Sequence, residues 1–427
     1  MSKFNADLDR ILARLAAAGI SRRQALAWLG AAGMAGAGLS LSAHRSLAAG
    51  ELTGPGGIPL ARPDKPVTLP RHQDPIKSGL KPETGGTFRL FNYADYLDKK
   101  AMDDFGKKYG VSVELTSFDS MDQAITRLAS HAVAPDVTNI TPDRIAQAVA
   151  GKLVQPINLD YIPNLKANIW PSLHSPFYDV GSQYTVPYTT YATGIGWRAD
   201  KIKEDIAKLD NPWSIFWQAQ AYKGYVAVLD DSREALVLAM LYRGFLDINT
   251  EDPAEIDKAV GDLKALIPIC NPKVNITDYQ TLPNATCWLH QSWSGSVLSA
   301  YLYNLPTGDD GSYLRYWSPP AGKGPVQNDC WAILAKSKKP VLAHLFLDFL
   351  LDKDVAYHNF VDFNGYQPPQ VSITADSLIA DKVIPEQLRT AVFDSAAFGA
   401  QSLQESALTT KGQALWQKGY ARFSSGT

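Results

Sequence analysis

Two acids at the end of an apolar run carry the first recognisable chemistry in this chain. In Val226-Ala227-Val228-Leu229-Asp230-Asp231-Ser232-Arg233-Glu234-Ala235-Leu236 a buried strand turns directly into a helix, and Asp231 and Glu234 stand at the corner. One reading is local. Asp231 is an N-cap that accepts a backbone N–H, and Glu234 reaches back as its capping-box partner, together stabilising the helix by about 0.5–2 kcal/mol. The other reading is chemical: the carboxyl end of a strand in an open α/β sheet faces the crevice where ligands bind, so the two carboxylates meet a cation. Two such charges 4 Å apart at an effective dielectric near 20 repel by about 4 kcal/mol, and a cationic ligand relieves that repulsion.

Rings and carboxylates recur near other segment ends: Tyr93-Ala94-Asp95-Tyr96, Thr141-Pro142-Asp143, Trp293-Ser294-Gly295-Ser296 and Asp329-Cys330-Trp331. Ring faces attract the methylenes and head group of an organic ammonium, and carboxylates accept its N–H donors. Signatures of catalysis are missing. There is no His-Glu-x-x-His, no Gly-x-Ser-x-Gly and no P-loop. The seven histidines show no metal-ligand spacing, and Cys270, Cys287 and Cys330 form no Cys-x-x-Cys. We therefore expect no metal, no cofactor and no reaction.

These residues need elements to hold them. Thr87 to Asn92 alternates as a strand, Leu97 to Tyr109 has helical spacing, and the pattern repeats through Val111–Leu115, Met121–His131 and Asp136–Ile140. Such alternation predicts βαβ units around a mostly parallel sheet. It restarts at Thr193–Trp197 and at Tyr225–Leu229, giving two α/β lobes with a boundary near Tyr191 to Gly194. Before Thr87 the chain differs. Residues 49–86 are rich in Pro and Gly without an apolar period, the composition of a flexible arm.

Residues 1–48 read as an export signal. Ser21-Arg22-Arg23-Gln24 precedes an uncharged Gly- and Ala-rich run to Ala43, and Ser46-Leu47-Ala48 is a small-x-small exit. Paired arginines before a weakly apolar segment resemble a twin-arginine signal, which places the mature protein in the periplasm. After residue 48 the chain holds 35 basic and 41 acidic residues. That balance opposes nucleic acid as a partner.

From Thr87 to about Arg422 the chain resembles the periplasmic substrate-binding proteins of polyamine ABC transporters, the spermidine/putrescine receptors. The landmarks, in order, are FNYADY at Phe91 to Tyr96, APDVTNIT at Ala134 to Thr141, VPYTTYATGIGW at Val186 to Trp197, LDDSREAL at Leu229 to Leu236, SWSGS at Ser292 to Ser296 and NGYQPP at Asn364 to Pro369. The resemblance implies a two-lobe α/β periplasmic-binding-protein fold of type II, hinged, with the ligand cleft between the lobes. By that analogy residues 87–192 plus 329–372 form lobe 1, and residues 193–328 plus 373–427 form lobe 2. It further implies a monomer that binds a small cationic amine and delivers it to an inner-membrane permease.

The family's clamp falls on Asp231 and Glu234, its tryptophan on Trp293 and its next carboxylate on Asp329. Its cleft rings fall on Tyr93, Tyr96 and Tyr366, and Thr141 matches a hydroxyl position. Two positions depart from the pattern. Gln327 and Asp143 stand where aromatics are frequent in the family, which predicts a ligand with more polar groups and less bare methylene than spermidine.

Overall fold

A computed structural model describes residues 52–426 of the protein. The expected export signal lies outside the described residues. Among the described residues no helix is long and apolar enough to cross a membrane.

The first half is built from β1 (Thr87–Tyr93), α1 (Lys99–Tyr109), β2 (Ser112–Phe118), α2 (Met121–Ala129), β3 (Val137–Ile140) and α3 (Pro142–Ala150). Local chemistry sets these ends. Asp98 accepts from the Lys100 N–H to cap α1, which stops at Gly110 in the left-handed region (φ 67°). Ser120 caps α2, and Pro142 opens α3, where its missing N–H costs nothing. The second half holds β5 (Val226–Val228), α4 (Ser232–Tyr242), α5 (Pro253–Cys270), β6 (Lys273–Val274), β7 (Leu289–Trp293), α6 (Ser294–Tyr303) and β8 (Leu314–Trp317). Helix α4 is buried from Arg233 to Leu241 because α5 and α8 (Thr410–Ser424) pack around it.

Two strands join the halves. β4 (Thr185–Arg198) and β9 (Val326–Ile333) complete the sheet order β2-β1-β3-β9-β4-β7-β5-β6, with β8 on β4. The first part of β4 pairs β9, and from Thr193 onward it pairs β7 and β8. The mixed α/β architecture with two halves is the one expected. Two details are corrected.

The sheet is not mostly parallel: β1–β2, β1–β3, β5–β6 and β5–β7 are parallel, whereas β3–β9, β4–β7, β4–β8 and β4–β9 are antiparallel. Alternation in sequence reveals strands but not partners, and β4 and β9 run against both halves. The expected boundary at Tyr191 to Gly194 falls inside continuous β4, at the point where the strand changes partners from β9 to β7. Finally, the Pro- and Gly-rich segment is no free tether. Ile58, Leu60, Ala61, Val67 and Leu69 are buried, and the Glu83 carboxylate accepts from the Val341 and Leu342 N–H groups that open α7 (Pro340–Leu350). Without periodicity such a segment builds only a three-residue 3-10 turn (Pro55–Gly57), yet single apolar side chains still find a surface to cover.

The core has separate parts. One cluster fills the second half around α4, Trp213, Trp416 and Phe423. Two more line the faces of the first half, around Phe88, Phe105 and Phe346 and around Phe91, Ile145 and Tyr184. The C-terminal stretch crosses between them: Phe393 and Phe398 pack on Trp170 of the first half, whereas Leu408 joins the second. The expected assignment of all of residues 373–427 to one lobe is not followed by this packing. The three cysteines are buried and free.

Candidate functional site

The carboxyl ends of β1, β3, β5 and β7 all deliver side chains to one region, where the crossing strands β4 and β9 form the floor. β5 ends at Val228, and the helix behind it starts at Ser232 with Asp231 as its N-cap. The Asp231 Oδ1 accepts from the N–H groups of Arg233 (2.7 Å) and Glu234 (3.1 Å). The capping box is half made. The Glu234 side chain does not reach back; its Oε1 accepts instead from Thr193 Oγ1 (2.8 Å) on β4 and from Trp293 Nε1 (2.7 Å) at the end of β7. Its Oε2 is buried and has no hydrogen-bond partner. Burial first, then the neighbouring Asp231 charge, raise the Glu234 carboxyl to about 7.

On β9, Asp329 pairs with Thr189 of β4 in the ladder. Its Oδ2 accepts from Tyr96 Oη (2.7 Å), whereas Oδ1 is buried without a partner. Burial again dominates and raises the carboxyl to about 7, with Asp143 adding to the rise. Tyr96 is also hydrogen-bonded to Thr189, and its backbone carbonyl accepts from Tyr188 Oη (2.6 Å) and Asn364 Nδ2 (3.0 Å).

The predicted rings meet edge to face. Tyr96 touches Tyr93 (centroids 5.9 Å apart) and Tyr366 (5.4 Å). Tyr366 in turn touches Tyr191 (5.9 Å), which touches Trp293 (6.0 Å). The Tyr366 hydroxyl shares a hydrogen bond with Ser296 Oγ (2.9 Å). Two glycines make this wall possible. Any Cβ on Gly295 would sit 2.4 Å from the Tyr366 ring, and Gly365 (φ 75°) passes too close to the Ser299 backbone for a side chain.

The remaining predicted residues take other roles. Thr141 Oγ1 donates to Asp143 Oδ1 (2.5 Å), and Asp143 is paired with Arg144 (3.1 Å), which also holds Asp122 (2.8 Å). Asp143 lies near enough to Asp231 and Asp329 to raise both, but it carries its own counter-charge. Gln327 pairs with Tyr191 across the β4–β9 ladder. Its amide is engaged by the protein: the oxygen accepts from the Glu405 N–H (2.6 Å) and the nitrogen donates to the Val326 carbonyl (3.2 Å).

Sequence reasoning missed two members of the site. Tyr191 lies inside the VPYTTYATGIGW landmark and completes the ring wall. Glu405 comes from an irregular stretch near the C-terminus, carries a buried Oε1 without a partner, and is held well above the usual carboxylate range by burial, with Glu234, Asp231 and Asp143 adding to it. Nothing around Glu405 in the sequence marks it. Arg233 lowers the carboxyls of Asp231, Glu234 and Glu405, but its guanidinium is engaged elsewhere, with the Ile248 carbonyl (3.0 Å), Asn249 Oδ1 (2.7 Å) and the face of Trp416. The result is a ring-walled acidic site. Among the described residues no three His, Cys, Asp or Glu side chains are grouped to hold a metal ion.

Residues 100–385 match the family of bacterial extracellular solute-binding proteins. The chain belongs to that family. As a solute-binding protein it binds rather than transforms its ligand. It is 27% identical over 293 residues to the putrescine/agmatine-binding protein of Pseudomonas aeruginosa, an alignment covering 65% of this chain and 78% of that one. Among solved structures, the spermidine/putrescine substrate-binding protein PotD of Streptococcus pneumoniae superposes with a TM-score of 0.62 at 21% identity, covering 80% of this chain and 99% of PotD. The binding protein MotA of A. tumefaciens B6, solved with glucopine, gives 0.55 at 17% identity over 79% and 99%. These similarities show the fold of the solute-binding protein. They also show that about a fifth of the chain lies beyond it, a share close to the 86 of 427 residues that precede β1.

Proposed function

We propose that the protein captures a polyamine or a related organic amine in the periplasm and delivers it to an ABC permease. One observation carries this reading. Glu234 Oε2, Asp329 Oδ1 and Glu405 Oε1 are buried acceptors without partners, gathered where Tyr93, Tyr96, Tyr191, Trp293 and Tyr366 converge. Unpartnered buried carboxylate oxygens are costly. An ammonium group offers the charge and the N–H donors that each of them lacks, and its methylenes fit ring faces.

The binding of putrescine and agmatine by the relative in Pseudomonas aeruginosa supports the same class. The A. tumefaciens structure with glucopine keeps a second reading in view, a ligand that also carries a carboxylate. The electrostatics favour the amine: Arg144 and Arg233, the cations nearest the acids, already have protein partners. Ligand bound between the two halves would stabilise the closed arrangement by contacts it makes in no other, and closure would be what the permease reads. The proposal includes export through the paired Arg22 and Arg23.

The test is calorimetric titration of the mature protein with putrescine, agmatine, spermidine, a monoamine of equal length and an amino-acid conjugate. Tightest binding by a diamine or triamine supports the reading. Binding confined to a carboxylate-bearing conjugate would replace it with the second one.

A further inference from the structure

The segment expected to be a flexible arm crosses from one half of the molecule to the other at the edge of the site. Its later part belongs to the first half. Ile58, Ala61, Val67 and Leu69 pack in the cluster that contains Ile145, Ala148 and Val149 of α3, and Val67 exchanges backbone hydrogen bonds with Phe177 (2.8 Å) and Val180 (3.4 Å). Its beginning lies beside the second half, where the exposed Leu52 shares a surface hollow with Glu251, Pro253 and Thr409. The two ends are folded together, since Gly54 N–H donates to the Ile58 carbonyl (2.8 Å) and Leu60 N–H to the Leu52 carbonyl (3.3 Å).

At the crossing point Pro55 lines one small hollow together with Asp143 and Gln147 of α3 and Leu408 and Gln413 of the C-terminal stretch. A bond from the strap spans the junction, Arg62 Nη1 to the Ala407 carbonyl (2.9 Å), beside the direct bond between the halves from Gln417 Nε2 to Asp122 Oδ2 (2.9 Å). Ala407 is held to the second half by its neighbours, Ser406 N–H to Asn249 Oδ1 (2.8 Å) and Thr409 N–H to Glu251 Oε1 (2.8 Å). Both sides of the junction carry the site. Asp143 stands in the first turn of α3, and Glu405 is two residues before Ala407.

We propose that residues 52–69 form a latch that joins the two halves and holds the site closed, so that ligand release waits for the latch to let go. The two halves move apart only if the contacts of Pro55 and Arg62 with the C-terminal stretch break, and the buried apolar residues leave the segment attached to the first half when they do. Local detachment of a short strap costs far less than unfolding, which is what a gate requires. The latch rests on the reading that ligand sits between the halves.

The test compares the wild-type mature protein with Arg62→Ala and with Gly56→Val, whose side chain meets Ala150 Cβ at a backbone position of positive φ (67°) and so disfavours the seated strap. Stopped-flow tryptophan fluorescence follows putrescine release, and small-angle scattering follows the ligand-free shape. We expect release to quicken by roughly two- to tenfold in each variant, the scale of one lost hydrogen bond, and the ligand-free molecule to expand. Unchanged release and unchanged scattering in both variants would overturn the latch. A wild-type protein that binds no amine would instead overturn the proposed ligand, and the scattering arm would still decide the latch.

Discussion

Asp179, in the turn before β4, and Asp329, within the β4–β9 ladder, are both buried acids, and the protein treats them in opposite ways. Asp179 accepts four hydrogen bonds: from the N–H groups of Gln183, Tyr184 and Thr185 and from the Thr185 hydroxyl, at 2.8–3.0 Å. Burial raises its carboxyl to about 6, and those four bonds pull against the rise. Asp329 has one bond, from Tyr96, and stands at about 7. Burial therefore does not tell a structural carboxylate from a binding one. Hydrogen bonding separates these acids: Asp179 closes the turn that launches β4, whereas Asp329 and Glu234 each keep one buried oxygen unpaired, and Asp278 keeps both.

The sharpest way to break that comparison is Asp179→Asn. An amide retains one acceptor oxygen, so at least the Gln183 bond to Oδ1 is lost and the three bonds to Oδ2 lose their charge, and bonds to a charged group contribute about 1.5–3 kcal/mol each. We expect a loss of about 3 kcal/mol or more in stability by denaturant titration, with amine affinity unchanged in the folded fraction. Lost affinity at unchanged stability would reverse the assignment.

Asp329→Asn and Glu234→Gln should show the mirror image. Each is expected to weaken amine binding by about 1.5–3 kcal/mol in calorimetry while the ligand-free melting temperature holds or rises, because a neutral amide removes a charge that burial penalises. A falling melting temperature with intact affinity would mark these acids as structural.

The same two groups set a pH dependence with a definite sign. Their folded carboxyls stand near 7, above the roughly 4 of an unfolded chain. Their contribution to stability is thus full below about pH 4 and is lost as pH rises through 7. Amine binding needs the ionised forms, so affinity rises over the same window, by up to about tenfold per pH unit for each group. Melting of the ligand-free protein and titration across pH 5 to 8 should give opposite slopes, both flattened in the Glu234→Gln/Asp329→Asn double variant.

The smallest effect is reserved for Asp231→Asn. Asparagine caps a helix as well as aspartate, and both backbone bonds use Oδ1 alone, so stability should move by only a few tenths of a kcal/mol. Affinity should fall by less than for Glu234→Gln. A larger loss would make Asp231 the principal anchor.

Much of the site is legible in the amino-acid sequence, and for a physical reason. Tyr93 and Trp293 end strands and Asp231 follows one, and strand ends announce themselves through local periodicity and turn residues, whereas Glu234, Tyr96 and mid-strand Asp329 are marked by the family resemblance. That Asp231 caps a helix follows from its neighbours alone. What lies outside the sequence is every property that depends on partners distant along the chain. Glu234 abandons its capping box for Thr193 and Trp293, 41 and 59 residues away. Gln327 reads as a free amide and is instead tied to the Glu405 backbone. Asp143 reads as an added acceptor and carries its own arginine. Glu405 enters the site from a loop with no pattern, and a Pro- and Gly-rich stretch without periodicity becomes a strap with a buried face. Periodicity and capping act over a few residues and can be read in one dimension. Which buried oxygen finds a donor, and which stays open for a ligand, is settled only when the two crossing strands bring both halves together.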